Sequence, residues 1–186
     1  MAQSKILLDT NAYFRLAKSI HPLLDNAFGE NNYCLYVLKE LDDEFDRNKR
    51  LRSQFHWVNE EEYQDNRKKR LTLSGKDRRA IRLVEEYLSR YKAGNELGVF
   101  LVDIKCLAHG HVLGIPVVTD DTDMLQMAED FAIRTMKTLE LLHLMLDTGH
   151  IDIDKVRQIA AYWEYISDKP AGFRKDYKRL FKEKPP

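Results

Sequence analysis

The sequence lacks any long apolar run, and it contains two cysteines among its 186 residues. A helix that crosses a membrane needs roughly 20 consecutive apolar residues, so we expect neither a membrane-spanning segment nor a membrane partner. The first apolar run begins within a few residues of Met1, and we therefore expect no signal peptide. Cys34 and Cys106 stand in apolar surroundings, which is typical of small buried side chains in a reducing compartment. These absences favour a cytoplasmic protein.

Internal repeats and low-complexity segments are also missing, and the composition is that of an ordinary globular protein. Hydrophobic residues make up 44% of the chain and charged residues 32%, which suits one folded domain with a sizeable core. We expect this domain over residues 1–168, with a charged, partly helical insertion at residues 46–73. Residues 169–186 are expected to form a basic C-terminal tail.

The formal net charge is zero, but the charges are segregated along the chain. Residues 66–82 hold eight Lys or Arg against one Asp, and residues 169–186 hold seven against two acids. Such runs are often solvated faces, but two basic segments beside an acidic centre also suit a bound polyanion. The side chains predicted to bind nucleic acid by neutralising phosphates are Arg67, Lys68, Lys69, Arg70, Lys175, Lys178 and Arg179.

Apolar runs alternate with helical patterns along the sequence. Residues 5–8, 33–37 and 115–119 have the length and composition of strands that are buried on both faces. Residues 131–136 indicate an edge strand, and residues 98–102 indicate either a further strand or the lead-in to a helix. This alternation predicts an α/β fold, a three-layer α/β/α sandwich with a mainly parallel central sheet.

Local signals also indicate where two helices lie. Residues 23–28 have a composition that favours a short helix. Ser74 and Asp77 form the pattern of a capping box, in which each residue bonds to the backbone of the other, so a long amphipathic helix is expected to begin there.

Four acidic residues share one kind of position, at or just past the C-terminal end of an apolar run: Asp9, Glu40, Asp103 and Asp121. In a parallel sheet these ends lie along one edge, so we expect the four carboxylates to converge. Two charges about 5 Å apart repel by roughly 3 kcal/mol at an effective dielectric of about 20, so the cluster needs shared protons or divalent cations. Oxygen ligands favour Mg²⁺ or Mn²⁺ over zinc. Because such an ion can supply a water nucleophile and stabilise charge on phosphoryl oxygens, the predicted reaction is phosphodiester hydrolysis.

Two of the four acids also have a local explanation. Asp9 or Asn11 would make a good N-cap for the helix that follows, and Glu40 in the first turn of a helix suits the helix dipole. Glu44 lies one turn beyond Glu40, and it either reaches the same site or is a solvated helix acid.

The sequence resembles PIN domains and, among them, the VapC-like branch of prokaryotic ribonucleases. The resemblance rests on L-L-D-T-N, on V-L-K-E-L around Glu40, on D-I-K-C-L-A-H-G-H-V-L-G-I-P-V-V-T-D-D-T-D and on T-L-E-L-L-H-L-M-L-D-T-G-H-I. It covers residues 5–48 and 74–153. What it implies is a PIN-like nuclease domain within residues 1–168 and a metal-dependent endoribonuclease activity.

Carried over residue by residue, the resemblance implies catalytic, metal-binding roles for Asp9, Glu40, Asp103 and Asp121, with Asp123 as a nearby acid of the metal site. Asn11 and Thr119 match positions that hydrogen-bond to ligands or water. Asp120 is an additional acid, so the choice among Asp120, Asp121 and Asp123 stays open. The resemblance also implies Mg²⁺ or Mn²⁺ as cofactor and RNA as substrate. As the toxin of a toxin–antitoxin pair, the protein would have an antitoxin partner, and a homodimer is also expected.

Two other functions stay open. An aspartyl-phosphate enzyme similar to haloacid-dehalogenase-like phosphatases would need an Asp two residues after Asp9, where this chain has Asn11. A non-catalytic RNA-binding or scaffold module could retain the same acidic pocket. Incubation with labelled single-stranded RNA in Mg²⁺, Mn²⁺ or EDTA distinguishes these functions.

Overall fold

The computed structural model describes residues 3–186, which form an α/β fold built on a four-stranded sheet. Neighbouring strands are all parallel, in the order β2-β1-β3-β4. Along the chain the strands are β1 Ser4–Leu8, β2 Tyr33–Tyr36, β3 Val117–Val118 and β4 Thr135–Met136. The predicted parallel sheet is therefore confirmed.

Ten α-helices and one 3₁₀ helix accompany the sheet within residues 3–186. The α-helices are α1 Thr10–Ala17, α2 Glu40–Arg47, α3 Lys49–Gln54, α4 Glu61–Arg67, α5 Gly75–Asn95, α6 Leu101–Leu113, α7 Thr122–Asp130, α8 Thr138–Asp147, α9 Ile153–Tyr165 and α10 Phe173–Phe181; the 3₁₀ helix is His56–Asn59. The capping box predicted at Ser74 and Asp77 is confirmed at the start of α5. None of these helices has both the length and the apolarity that a membrane span requires.

The side chains of β1 alternate between two hydrophobic cores, one on each face of the sheet. Ile6 and Leu8 enter the first core, to which α1, α8, α9 and α10 contribute, whereas Leu7 enters the second core with α5, α6 and α7. All three β1 side chains are at most 1% exposed, as expected for an inner strand that is covered on both faces. This arrangement is consistent with a three-layer α/β/α fold.

The sheet register brings the ends of β1 and β3 together. Leu8 pairs with Val118, and the backbone N–H of Asp9 donates to the Val118 carbonyl at 3.0 Å. The segments that leave these two strands therefore start at the same edge of the sheet, where a parallel α/β protein gathers its functional side chains.

Residues 23–28 are not helical, so the helix predicted there is wrong. The N–H of Leu24 donates to Oδ1 of Asn66 at 3.1 Å, and the Leu24 carbonyl accepts from Nδ2 of Asn66 at 2.8 Å. A side chain 42 residues away thus satisfies backbone groups that a helix would have paired locally. Because its partner is so distant, this conformation leaves no sign in the local composition.

The structure also decides the predictions for residues 98–102 and residues 131–136. Residues 98–102 are the lead-in to α6, which begins at Leu101, so the second of the two alternatives holds. The predicted edge strand at residues 131–136 is reduced to β4, because Phe131 ends α7 and Ala132 adopts a left-handed φ of 51°.

Residues 46–73, the expected insertion, contribute to the first core. They include α3, the 3₁₀ helix and α4, and the side chains of Phe55, Trp57 and Tyr63 are buried. The Phe55 ring stacks on Phe14 of α1 with the ring centroids 4.9 Å apart. The segment therefore shares a packed interior with the sheet domain.

The expectation of a basic tail at residues 169–186 needs correction, because α10 packs against the first core. Phe173, Tyr177 and Phe181 recur at every fourth position and are all buried. Three aromatic side chains at this spacing form one face of a helix. The number of basic residues on the exposed face had concealed this stripe.

Candidate active site

Asp9 ends β1 and caps α1, and its carboxyl group is nearly inaccessible to solvent. The side chain is 2% exposed, and Oδ1 accepts the N–H of Ala12 at 2.6 Å. Burial raises the pKa of Asp9 to about 7, although hydrogen bonds from Thr119 and Ala12 act in the opposite direction. The nearby carboxylates of Asp120 and Asp103 raise this pKa further. The cap alone does not explain the residue, because an exposed Asp would cap the helix without the cost of burial.

Asp103 stands in the first turn of α6, where its Oδ2 accepts the N–H of Phe100 at 2.9 Å. Burial raises the pKa of Asp103 to about 6, and the carboxylates of Glu44 and Asp121 raise it as well. Asp9, Asp103, Glu40 and Glu44 all lie close enough to the buried thiol of Cys106 to raise its pKa, after burial itself. The carboxylate that follows β1 and those of α2 and α6 therefore lie near the same buried thiol.

The two acids of α2 have different surroundings. Oε2 of Glu44 accepts a hydrogen bond from the hydroxyl of Thr10 at 2.6 Å. Because Thr10 directly follows Asp9, this bond ties Glu44 to the start of α1. Oε1 of Glu40 instead accepts Nζ of Lys105 at 2.8 Å. Burial alone would raise the pKa of Glu40, but the hydrogen bond and charge of Lys105 outweigh it and lower the pKa below its ordinary value.

The sequence leaves open whether Glu44 reaches the site, and its hydrogen bond with Thr10 favours that alternative. The signal was present, because residues four apart share a helix face and Thr10 directly follows Asp9. The position of Lys105, which neutralises Glu40, depends on the packing of α6 against α2.

The three acids after β3 have different partners. Oδ2 of Asp120 accepts Nη1 of Arg15 at 2.9 Å and also the hydroxyl of Thr138, so this carboxylate is held by an ion pair. Oδ1 of Asp121 accepts the N–H of Met124 at 2.8 Å and caps α7. Oδ2 of Asp123 accepts the N–H of Gly98 at 2.7 Å.

These contacts favour Asp121 among the three acids that the sequence left open. Asp120 and Asp121 each raise the pKa of another acid, Asp120 that of Asp9 and Asp121 that of Asp103. Asp120, however, is held in an ion pair with Arg15, and Asp123 bonds to the loop before α6. We call Asp9, Glu44, Asp103 and Asp121 the acidic site.

The two polar residues predicted beside the ligands differ in accessibility. Thr119 is fully buried; its hydroxyl accepts the N–H of Asp121 at 3.1 Å and donates to Sδ of Met124 at 3.3 Å. Asn11 is exposed, and its side chain makes no hydrogen bond with any of residues 3–186. Thr119 therefore holds the backbone of Asp121 in place, while the role of Asn11 stays a prediction.

The donor set of the acidic site suits a hard divalent cation, because every donor is an oxygen. One oxygen of Asp103 and one of Asp121 accept backbone N–H groups, and the second oxygen of each has no hydrogen-bond donor among residues 3–186. As the side chains stand, no three His, Cys, Asp or Glu residues within the described range form a group that could hold a metal ion.

The basic run at residues 67–70 is largely occupied by internal contacts. Arg67 is 3% exposed; Nε donates to Asp42 at 2.9 Å, while Nη1 donates to the Tyr13 hydroxyl at 3.2 Å and the Val58 carbonyl at 3.0 Å. A buried guanidinium with these partners is not available to phosphates, so the predicted role of Arg67 is corrected. The remaining cations form the ion pairs Lys68–Asp65, Lys69–Asp25 and Arg70–Asp42.

The predicted cations of α10 are more accessible. Lys175 and Lys178 are exposed, and neither has an ion-pair partner among residues 3–186. Arg179 donates from Nη2 to Asp176 at 3.2 Å. Lys175 and Lys178 therefore stay candidates for phosphate contacts, but on a helix that packs on α8 and the first core.

Comparison with known proteins adds no further identification: no protein-family model matches the sequence, and no curated protein matches it significantly.

Proposed function

We propose that this protein is a divalent-metal-dependent endoribonuclease that hydrolyses RNA phosphodiester bonds at the acidic site. The observation that carries the proposal is the buried Asp9 carboxyl, with a pKa of about 7, beside Asp103, with a pKa of about 6. Burying carboxyl groups together gives the folded protein no stability. We therefore attribute the cluster to a bound ligand that compensates its charge. The sequence resemblance to PIN domains points to the same chemistry.

Asp9, Asp103 and Asp121 would hold Mg²⁺ or Mn²⁺, together with Glu44 from α2. When bound, the cation supplies Lewis acidity that stabilises negative charge on phosphoryl oxygens. Backbone N–H groups of Ala12, Phe100 and Met124 fix one oxygen each of Asp9, Asp103 and Asp121. Protons on Asp9 and Asp103 would relieve repulsion in the metal-free protein near neutral pH, and a bound cation would displace them.

The first prediction is that purified protein cleaves labelled single-stranded RNA in Mg²⁺ or Mn²⁺ and not in EDTA. Water attacks phosphorus and the 3′-oxygen leaves, so the products should carry 5′-phosphate and 3′-hydroxyl ends. Gel analysis of product ends after phosphatase treatment distinguishes these from 2′,3′-cyclic phosphates. Undiminished cleavage in EDTA, or cyclic phosphate ends, would rule out the proposed chemistry.

A second prediction concerns the two acids of α2. Glu44→Gln should lower the single-turnover cleavage rate by about 100-fold, because the Glu44 carboxylate lies close enough to Asp103 to raise its pKa. Glu40→Gln should lower it by less than about tenfold, because the Glu40 carboxylate is already neutralised by Lys105. Both side chains are partly exposed, so thermal unfolding should show that the variants remain folded. A larger effect at Glu40 would restore the ligand set that the sequence alone indicated.

A toxin role belongs to the same proposal, with a cytoplasmic location, an antitoxin as partner and a homodimeric assembly. A small open reading frame next to the gene, whose product binds this protein and suppresses cleavage, is the observation that would support it.

A further inference from the structure

A groove of about 740 Å³ opens beside the acidic site, between the α2–α3 corner and the start of α6. Its acidic lining residues are Glu40, Asp43 and Glu44, of which Glu44 belongs to the acidic site. Its basic lining residues are Arg47, Lys49, Arg50 and Lys105. The volume falls within the roughly 300–1,000 Å³ that is typical of ligand clefts.

Two large apolar side chains of the groove's lining are mostly exposed to solvent. Phe100 is 71% exposed and Leu101 is 64% exposed, although most other aromatic side chains of the chain are buried. Phe100 is the N-cap residue of α6, and its N–H donates to Asp103 at 2.9 Å. An exposed aromatic ring is therefore attached directly to the backbone that positions a carboxylate of the acidic site.

The groove also contains cations that have no partner. Arg47, Lys49 and Arg50 are exposed, and their side chains make no ion pair or hydrogen bond with any of residues 3–186. By contrast, the cations at residues 67–70 are all paired with carboxylates. The lining of the groove thus combines three unpaired cations with the carboxylates of Glu40, Asp43 and Glu44.

A second groove of about 550 Å³ continues the first on the other side of the Glu40–Lys105 ion pair. Arg78, Arg79 and Arg82 of α5 contribute to its lining and are exposed. The two grooves share Glu40 and Lys105, so basic side chains lie on both sides of this ion pair.

We infer that the groove lined by Arg47, Lys49, Arg50 and Phe100 binds a single strand of nucleic acid, with one unpaired base stacked on Phe100. This inference rests on the proposed function and narrows its substrate to single-stranded RNA. Stacking requires an unpaired base with a free face, whereas a base inside a duplex is covered by its neighbours. Phosphates on the same strand would contact the three cations and lead the backbone towards the acidic site.

Binding can be tested without cleavage, by fluorescence anisotropy of labelled RNA in EDTA with the full-length protein. Phe100→Ala should weaken binding of a single strand by roughly tenfold and leave binding of an RNA duplex unchanged. Phe100→Trp should restore single-strand affinity. The ring is largely solvent-exposed, so both variants should unfold at the wild-type temperature.

The charge contribution has a matched control within the chain. Arg47→Ala/Lys49→Ala/Arg50→Ala should lower affinity by more than about tenfold and should flatten the dependence of log K on log salt by about 2, since each phosphate contact contributes roughly 0.7 for single strands. Lys68→Ala/Lys69→Ala/Arg70→Ala removes the same charge from paired positions and should change the slope much less.

Three outcomes would overturn the inference: equal affinities for wild type and Phe100→Ala, equal losses for single strand and duplex, or equal slopes for the two triple variants. If these occur while metal-dependent cleavage persists, the groove is excluded and the proposed ribonuclease activity stands. If the wild-type protein neither binds nor cleaves RNA, both proposals fail together. Binding of a protein segment to the same groove, with no effect of RNA on that binding, would also overturn the inference.

Discussion

Replacing Asp9 by Asn is expected to stabilise the metal-free protein at pH 8 while abolishing its ribonuclease activity. Burial raises the pKa of Asp9 from 3.8 to about 7, so ionising the carboxyl at pH 8 costs the folded protein free energy that the unfolded chain does not lose. Each pKa unit corresponds to about 1.4 kcal/mol, so the gain is up to about 4 kcal/mol. Asn keeps the cap on α1, because it caps helices about as well as Asp.

The pH dependence of this effect has a definite sign. Below the unfolded pKa, an acid whose pKa is raised on folding is protonated in both states and does not lower the free energy of unfolding. The free energy of unfolding then falls as the pH rises through the folded pKa, because the buried carboxyl must ionise. The stability difference between Asp9→Asn and wild type should therefore be small near pH 4, grow between pH 4 and 7, and level off above pH 7. Chemical unfolding in EDTA at several pH values measures this difference.

A matched control is available at the start of α9. Asp152 caps this helix by accepting the N–H of Lys155 at 2.7 Å, but its side chain is exposed. Asp152→Asn should therefore change stability by less than about 0.5 kcal/mol at any of these pH values. If Asp9→Asn behaves like this control, Asp9 is an ordinary helix cap and the acidic site is wrongly assigned.

With Mn²⁺ bound, the wild-type protein should gain more stability than Asp9→Asn. Excess Mn²⁺ stabilises a protein that binds it in the folded state, by about 2.7 kcal/mol when the free concentration is about 100 times the dissociation constant. Asp9→Asn should lose most of this increase, and its cleavage rate should fall by at least about 100-fold. An equal Mn²⁺-induced shift of the unfolding temperature in both proteins would show that Asp9 does not bind the metal.

Arg67→Ala should be strongly destabilising and should affect RNA affinity little in the fraction that remains folded. The substitution leaves the Val58 carbonyl and the Tyr13 hydroxyl without their buried donor, and it removes a guanidinium 5.6 Å from the centre of the Tyr13 ring. Unsatisfied buried polar groups cost about 1–3 kcal/mol each, so we expect a loss of about 3 kcal/mol. Urea unfolding measures this loss.

Lys68→Ala is the control for Arg67→Ala, because the Lys68 side chain is 76% exposed and its ion pair with Asp65 lies at the surface. Surface ion pairs contribute about 0–1 kcal/mol, so this variant should be nearly as stable as wild type. Similar stability losses for both variants, or a selective loss of RNA affinity in Arg67→Ala, would return Arg67 to the nucleic-acid-binding residues that the sequence suggested.

The parallel sheet could be predicted from the sequence because its signals are local. A strand covered on both faces needs a short continuous apolar run, and the runs at β1, β2 and β3 are of this kind. The polarity of parallel strands then indicated the edge at which Asp9 and Asp121 lie. The capping box at Ser74 and Asp77 could also be predicted from the sequence, because both partners lie within one helical turn.

The long-range contacts were decided by the tertiary structure. Lys105 pairs with Glu40 across 65 residues, whereas Glu44 has no cation partner among residues 3–186 and raises the pKa of Asp103. Arg67 is buried because Tyr13 and Val58 converge on its guanidinium, although its neighbours in sequence suggest a solvated basic run. Composition and periodicity report the partners that a residue can have within a turn or two of chain. They carry no record of which distant side chain reaches it, and at these positions the distant partner determines the charge, the burial and the role of the residue.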